Sequence, residues 1–161
     1  MPLPPTRRRR AAAGAGLLVL VLAGCAATVP TTAGPEATDP VCAEVVLALP
    51  EDLGDGLVQQ RTDAQATTAW GDPRAAVVLR CGVEPLGPTT DRCVTLETPD
   101  GGSVDWVVVE DDDGSWTFTT YGRAPAVEVQ VPAAVAGDRS TSFVVDLGPA
   151  VSRTQVERSC V

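Results

Sequence analysis

The chain contains no His, no Lys, no Asn and no Ile, its single Met is the first residue, and aromatic residues make up only 4%. Without His it has no Ser-His-Asp or Cys-His nucleophile pair, no imidazole general base and no His ligand for zinc or haem. Without Lys it has no Schiff base, no Ser-Lys dyad and no phosphate-binding loop lysine. Lys, Asn and Ile share A/T-rich codons, so the bias marks a G+C-rich genome. Its chemical consequence holds regardless of origin. Carboxylates, Arg, Tyr, hydroxyls and thiols are the groups left for catalysis.

What is present starts with the first 25 of the 161 residues. Arg7 to Arg10 form a positive segment, Ala11 to Ala23 an apolar run of 13 residues, and Leu22-Ala23-Gly24-Cys25 closes it. Thirteen helical residues reach roughly 20 Å, short of the ~30 Å hydrocarbon core, which favours an export signal over a permanent transmembrane helix. Small residues before a Cys resemble the bacterial lipobox, in which the Cys receives diacylglycerol and becomes the first residue of the mature protein. Residues 1–24 are therefore expected to be a lipoprotein signal peptide, with Cys25 the lipid attachment. The alternative is an ordinary signal peptide with an incidental Cys. Thr6-Arg7-Arg8 faintly resembles a twin-arginine signal, although the following residues are Ala and Gly rather than bulky apolar ones.

Loss of the leader changes the electrostatics. It holds four of the twelve Arg and none of the 21 acids, so the formal charge moves from −9 to −13. Such a surface repels nucleic-acid phosphates and anionic headgroups. Nucleic acid is not an expected partner. Residues 25–39, with AATVPTTAGPEATD after Cys25, read as a flexible tether rich in Thr, Ala, Pro and Gly, and residues 40–161 as one extracytoplasmic domain.

Four cysteines remain: Cys42, Cys81, Cys93 and Cys160. An even number in an exported chain points to two disulfides, and the absence of any CxxC pair disfavours a zinc site. Of the three connectivities, Cys81 with Cys93 would close the GVEPLGPTTDR loop, and Cys42 with Cys160 would staple the two ends. That pair is the favoured expectation.

Asp39 and Pro40 can cap and start a helix whose Cys42, Val45, Val46 and Leu49 recur at helical spacing before Pro50 ends it. Ala75 to Cys81 reads as a central strand, with Leu57 to Arg61 and Thr67 to Trp70 as weaker ones. Val104 to Val109 and Trp116 to Tyr121 alternate around Glu110-Asp111-Asp112-Asp113-Gly114, whose Asp-Gly end signals a hairpin. Ala126 to Val131 alternates again, and a short helix can begin at Gly148-Pro149. The expected class is α+β: a small antiparallel sheet of roughly five to seven strands with one or two helices, stapled by disulfides.

Three ordered stretches carry a resemblance. They are Trp70-Gly71-Asp72-Pro73 followed by Val78-Leu79-Arg80-Cys81-Gly82-Val83; Val104-Asp105-Trp106-Val107; and Tyr121-Gly122-Arg123-Ala124-Pro125 with Ala126-Val127-Glu128-Val129 and Val131-Pro132. With the lipobox, they resemble the actinobacterial lipoprotein family labelled domain of unknown function 3515, across about residues 39 to 160. The resemblance implies an exported envelope lipoprotein and carries no assigned activity.

Four residues are candidates for a binding site. Trp70 could be an exposed platform for a sugar or peptide, with Asp72 beside it, although Trp-Gly-Asp-Pro also reads as a strand ending in a turn. Tyr121 and Arg123 sit at a bend where a guanidinium could grip a carboxylate or phosphate, unless Arg123 pairs internally with Asp105 or Glu128. Trp106 and Trp116 read as core. Asp111 to Asp113 fails the EF-hand pattern, since aligning the loop on Gly114 puts Val109 and Thr120 at ligand positions. A carboxylate-based glycan hydrolase would draw on Asp72, Asp105 and Glu128, but no spacing pairs them. The favoured expectation is a non-enzymatic binding or accessory module, anchored by lipid to the extracytoplasmic face of the cell membrane. It would have no cofactor or metal and would recognise an envelope component or protein partner. The glycan hydrolase and a purely structural envelope protein are the alternatives.

Overall fold

A computed structural model of the chain describes Met1 and residues 27–161, so the expected signal peptide and Cys25 lie outside the described residues. The first helix, α1 (Pro40–Ala48), starts where its sequence directs: the Asp39 carboxylate accepts from the Val41 N–H at 2.8 Å and Pro40 occupies the first turn. Its Cys42 and Val45 are fully buried.

Nine strands follow: β1 (Gln59–Gln60), β2 (Thr67–Trp70), β3 (Val77–Val83), β4 (Cys93–Glu97), β5 (Ser103–Glu110), β6 (Trp116–Thr120), β7 (Arg123–Ala124), β8 (Ala126–Val131) and β9 (Gln155–Val156). Seven of them form an antiparallel sheet in the order β1-β2-β3-β8-β6-β5-β4, and β7 pairs with β9 in a separate ribbon. Between β8 and β9 come α2 (Ala133–Ala136), a 3-10 segment (Thr141–Leu147) and α3 (Gly148–Val151). The fold is α+β, as the periodicity predicts. None of the described helices is long and apolar enough to cross a membrane.

The alternation of side chains sorts the sheet into two faces. On the inner face, Val77, Leu79 and Cys81 of β3, Val127, Val129 and Val131 of β8, Trp106 of β5 and Phe118 of β6 pack in one cluster with α1, the 3-10 segment and α3. Trp106 and Phe118 meet edge to face with centroids 6.4 Å apart. The outer face is polar at its centre. Arg80 stands directly across from Glu128 and pairs with it at 2.6 Å, and Gln130 also donates to Glu128 at 2.9 Å.

The segment from Val29 onward and the C-terminal tail are both fastened to this sheet, which corrects the expected tether and the domain start at residue 40. Val29 donates to the Arg61 carbonyl at 2.8 Å and bridges Thr62 in parallel, while Glu36 donates to the Gly82 carbonyl at 2.8 Å. Val29 is 4% exposed and Ala37 6%. Residues 29–38 therefore form a strap across the sheet end. Its hold comes from backbone pairing and close approach, which a hydropathy profile does not register.

The disulfides join Cys42 to Cys81 and Cys93 to Cys160, with Cα–Cα distances of 5.4 and 6.0 Å. The expected pairing of Cys81 with Cys93 and Cys42 with Cys160 is thereby overturned. Cys81 lies on β3 and Cys93 on β4, with β8, β6 and β5 between them. Four strand spacings amount to roughly 19 Å, far beyond the separation of about 7 Å that a disulfide tolerates.

Candidate functional site

The four candidate binding residues do not converge. Trp70, at the end of β2, is fully buried, and its indole N–H donates to the Pro50 carbonyl at 2.9 Å, so it offers no exposed platform. Asp72 lies in the following turn, where it accepts from the Arg74 backbone N–H at 2.9 Å and meets the exposed Arg74 side chain at 3.4 Å. Those bonds, the backbone one first, hold its carboxyl below the usual range. The register puts Tyr121 and Arg123 at the opposite end of the sheet.

Arg123 is only 7% exposed. Its Nη1 donates to the Thr154 carbonyl at 3.0 Å and its Nη2 to the Ser103 carbonyl at 3.1 Å. The guanidinium fork thus spans the segment before β9 and the start of β5, and is occupied by backbone rather than by a ligand. The internal pairing read from the sequence is present, with backbone carbonyls as the hydrogen-bonding partners in place of the side chains of Asp105 or Glu128. Burial pulls its pKa below the usual guanidinium value and the nearby charge of Asp105 opposes this. It remains a cation.

Asp105 serves the C-terminal tail. One of its oxygens accepts from the Thr95 hydroxyl at 2.6 Å and the other from the Cys160 N–H at 2.9 Å. Glu128 is held by Arg80 and Gln130. Asp72, Asp100 and Asp113 are all held low by hydrogen bonds, the leading donors for the last two being the hydroxyls of Thr98 and Ser115. A carboxyl acting as a general acid near neutrality requires the opposite shift. Asp111 to Asp113 turn the β5–β6 hairpin, with Asp111 accepting from Gly114 and donating to Ser115 through the backbone. Among the described residues no group of three or more Cys, Asp or Glu could hold a metal ion.

The motif glycines have a different role. Gly82 sits at φ +80° where β3 and β8 shift register, and a Cβ there would strike the backbone of Glu36 and Ala37. Gly122, at φ +63°, meets Arg158 in the same way, and its carbonyl accepts from the N–H groups of Glu157 at 2.7 Å and Arg158 at 3.2 Å. Each glycine is a clasp for one chain end, and each has a disulfide beside it: Cys42–Cys81 at the strap, Cys93–Cys160 at the tail. The ordered motifs around Gly82 and Gly122 mark these two clasps.

Sequence reasoning missed the groove that the strap creates. Pro35, Glu36 and Asp39 line it together with Pro125, Arg153 and Gln155, around an open volume of about 610 Å³. Arg153, which is exposed, lines it together with the acids Glu36 and Asp39. The available signal was Gly82 itself, since an isolated Gly in a strand pattern indicates a bulge or a close backbone approach. A smaller hollow of about 260 Å³ beside Tyr121 is lined by Thr89, Asp91 and the Cys93–Cys160 bridge.

No curated protein and no solved structure matches the chain. The family described as "Protein of unknown function (DUF3515)" matches residues 17–160, and the chain belongs to that family.

Proposed function

We propose that the protein is an extracytoplasmic module of the cell envelope, lipid-anchored through Cys25, which binds an envelope component or partner protein and catalyses no reaction. The observation that carries this reading is the pair of disulfides fastening the two chain ends to one sheet. Such bridges form and persist in oxidising compartments and are rare in reducing ones. The lipobox at Leu22-Ala23-Gly24-Cys25 supplies the address. Binding rather than catalysis is supported by the missing His and Lys, and by the commitment of Asp105 to the C-terminal tail, of Asp72 to its turn and of Glu128 to Arg80 and Gln130. The groove between the strap and β7–β9 is the recognition surface, its volume within the usual range for ligand sites.

Fractionation and intact-mass analysis test the anchor. The native protein should stay with membranes and carry a lipid adduct on an N-terminal Cys25, and Cys25→Ala should release or mislocalise it. A membrane-free native protein without an adduct would refute the reading. Crosslinking in living cells tests the groove: Arg153→Glu should abolish the captured product while leaving the protein folded. Undiminished capture would remove the groove from the account.

A further inference from the structure

The two disulfides differ in what surrounds them. Cys42 on α1 and Cys81 on β3 are both 0% exposed and belong to the core. A reductant reaches that inner bridge only when the core opens. Cys93 and Cys160 are half-exposed instead, and both border the hollow of about 260 Å³ beside Tyr121, Thr89 and Asp91. Thiol exchange depends on access, and exposed bridges are the labile ones.

The tail held by this outer bridge has little else to hold it. From Gln155 to Val161 every residue except Cys160 is exposed, and Val156 leaves 57% of its surface in water. Apart from the cysteine itself, no apolar side chain of this segment is drawn into the core. Its noncovalent hold is main-chain hydrogen bonding: the two-residue pairing of β9 with β7, the Glu157 and Arg158 N–H groups on the Gly122 carbonyl, and the Cys160 N–H on Asp105. A lone two-stranded ribbon is marginal in water, and each hydrogen bond adds little net stability. The strap is different, because its Val29 and Ala37 are buried and hold it by apolar contact.

We propose that Cys93–Cys160 is a redox latch on the C-terminal tail, opened by a small dithiol while Cys42–Cys81 stays closed. One thiolate of the dithiol attacks a bridge sulfur, forming a mixed disulfide and expelling the other cysteine as thiolate. The second thiol then displaces the protein sulfur, so the reagent leaves as its own disulfide and its two protons end on Cys93 and Cys160. Asp91 and Asp105 stand near the bridge, so the dithiol that fits is one of low negative charge. Residues 155–161 then leave Gly122 and Asp105, and release stops at Thr154, which is 3% exposed and whose carbonyl Arg123 still grips. Gln155 borders the groove, so the open latch removes part of its lining, a consequence that rests on the groove being the recognition surface proposed above.

The test treats the full oxidised chain with graded dithiothreitol under native conditions, quenches by alkylation and maps each cysteine, with amide exchange and tryptophan fluorescence read on the same samples. It needs neither an adduct at Cys25 nor a captured ligand, so its failure is distinct from a failure of the proposed function. Cys93 and Cys160 should be alkylated more than about tenfold faster than Cys42 and Cys81, since the inner bridge waits for the core to open. At that stage the Glu157, Arg158 and Cys160 amides should lose protection while the fluorescence of the buried Trp70 and Trp106 stays native. Cys93→Ser combined with Cys160→Ser should show the same free tail without reductant. Equal rates at all four cysteines, loss of native fluorescence together with the outer bridge, or tail amides still protected after Cys93 and Cys160 are alkylated would each overturn the latch.

Discussion

Replacing Gly82 by Ala should dislodge the strap, and Gly54 provides the matched control. Both glycines have strongly positive φ, +80° and +84°, but a Cβ at Gly82 meets the backbone of Glu36 and Ala37 whereas at Gly54 it meets nothing within 4 Å. The left-handed conformation alone costs an L-residue about 1–2 kcal/mol, and Gly54→Ala should show only that. At Gly82 the strap must also move. The bond from the Glu36 N–H to the Gly82 carbonyl is then lost, for about 1 kcal/mol. Exposing the buried Ala37 adds a further loss of about 1 kcal/mol at most. Gly82→Ala should therefore cost about 2 kcal/mol more than Gly54→Ala. With a guanidinium slope of about 4 kcal/mol/M, the extra loss lowers the unfolding midpoint by about 0.5 M. The fully buried Trp70 and Trp106 provide the fluorescence readout. Equal midpoints for the two variants would refute the clasp.

Three further outcomes follow from the same geometry. Replacing either disulfide by an Ala pair should cost about 4 kcal/mol in the loop-entropy description, for sequence separations of 39 and 67, measured by the same denaturation. Arg123→Met should destabilise by about 2–4 kcal/mol, because the carbonyls of Thr154 and Ser103 lose a charged donor, and Arg123→Lys should restore little since one ammonium replaces a two-armed fork. Asp72, Asp100 and Asp113 titrate lower in the folded than in the unfolded chain, so their contribution is present above the ordinary carboxylate range and is lost as pH falls through the lowered values. A thermal-unfolding series in acid should show that loss reduced in Ser115→Ala, which removes the hydroxyl donor to Asp113.

The sequence makes some elements legible and hides others for physical reasons. Asp39-Pro40 announces α1 because cap and first-turn chemistry are local. The Asp-Gly turn announces the β5–β6 hairpin, and the two-residue alternation exposes β8. Strand β4 escapes detection because it is the sheet edge, so its residues are half-exposed on both faces. The 3-10 segment Thr141–Leu147 has neither helical nor strand periodicity. Disulfide connectivity depends on the strand order β3-β8-β6-β5-β4, a property of the whole sheet, and proximity along the chain misleads. Arg123 and Asp105 resemble functional residues because charged groups held in the fold, Arg123 buried and Asp105 half-buried, need dedicated partners. Here those partners lie within the chain itself: the Thr154 and Ser103 carbonyls for Arg123, the Cys160 N–H and the Thr95 hydroxyl for Asp105.

The central claim, that each chain end is clamped to the sheet by its own disulfide and glycine, is tested most directly by peptide mapping without reduction. Protein taken from its native source, alkylated before digestion, should yield one cross-linked pair containing Cys42 and Cys81 and another containing Cys93 and Cys160, with no alkylated thiol at these positions. A Cys42–Cys160 pair, or four alkylated thiols, would contradict it.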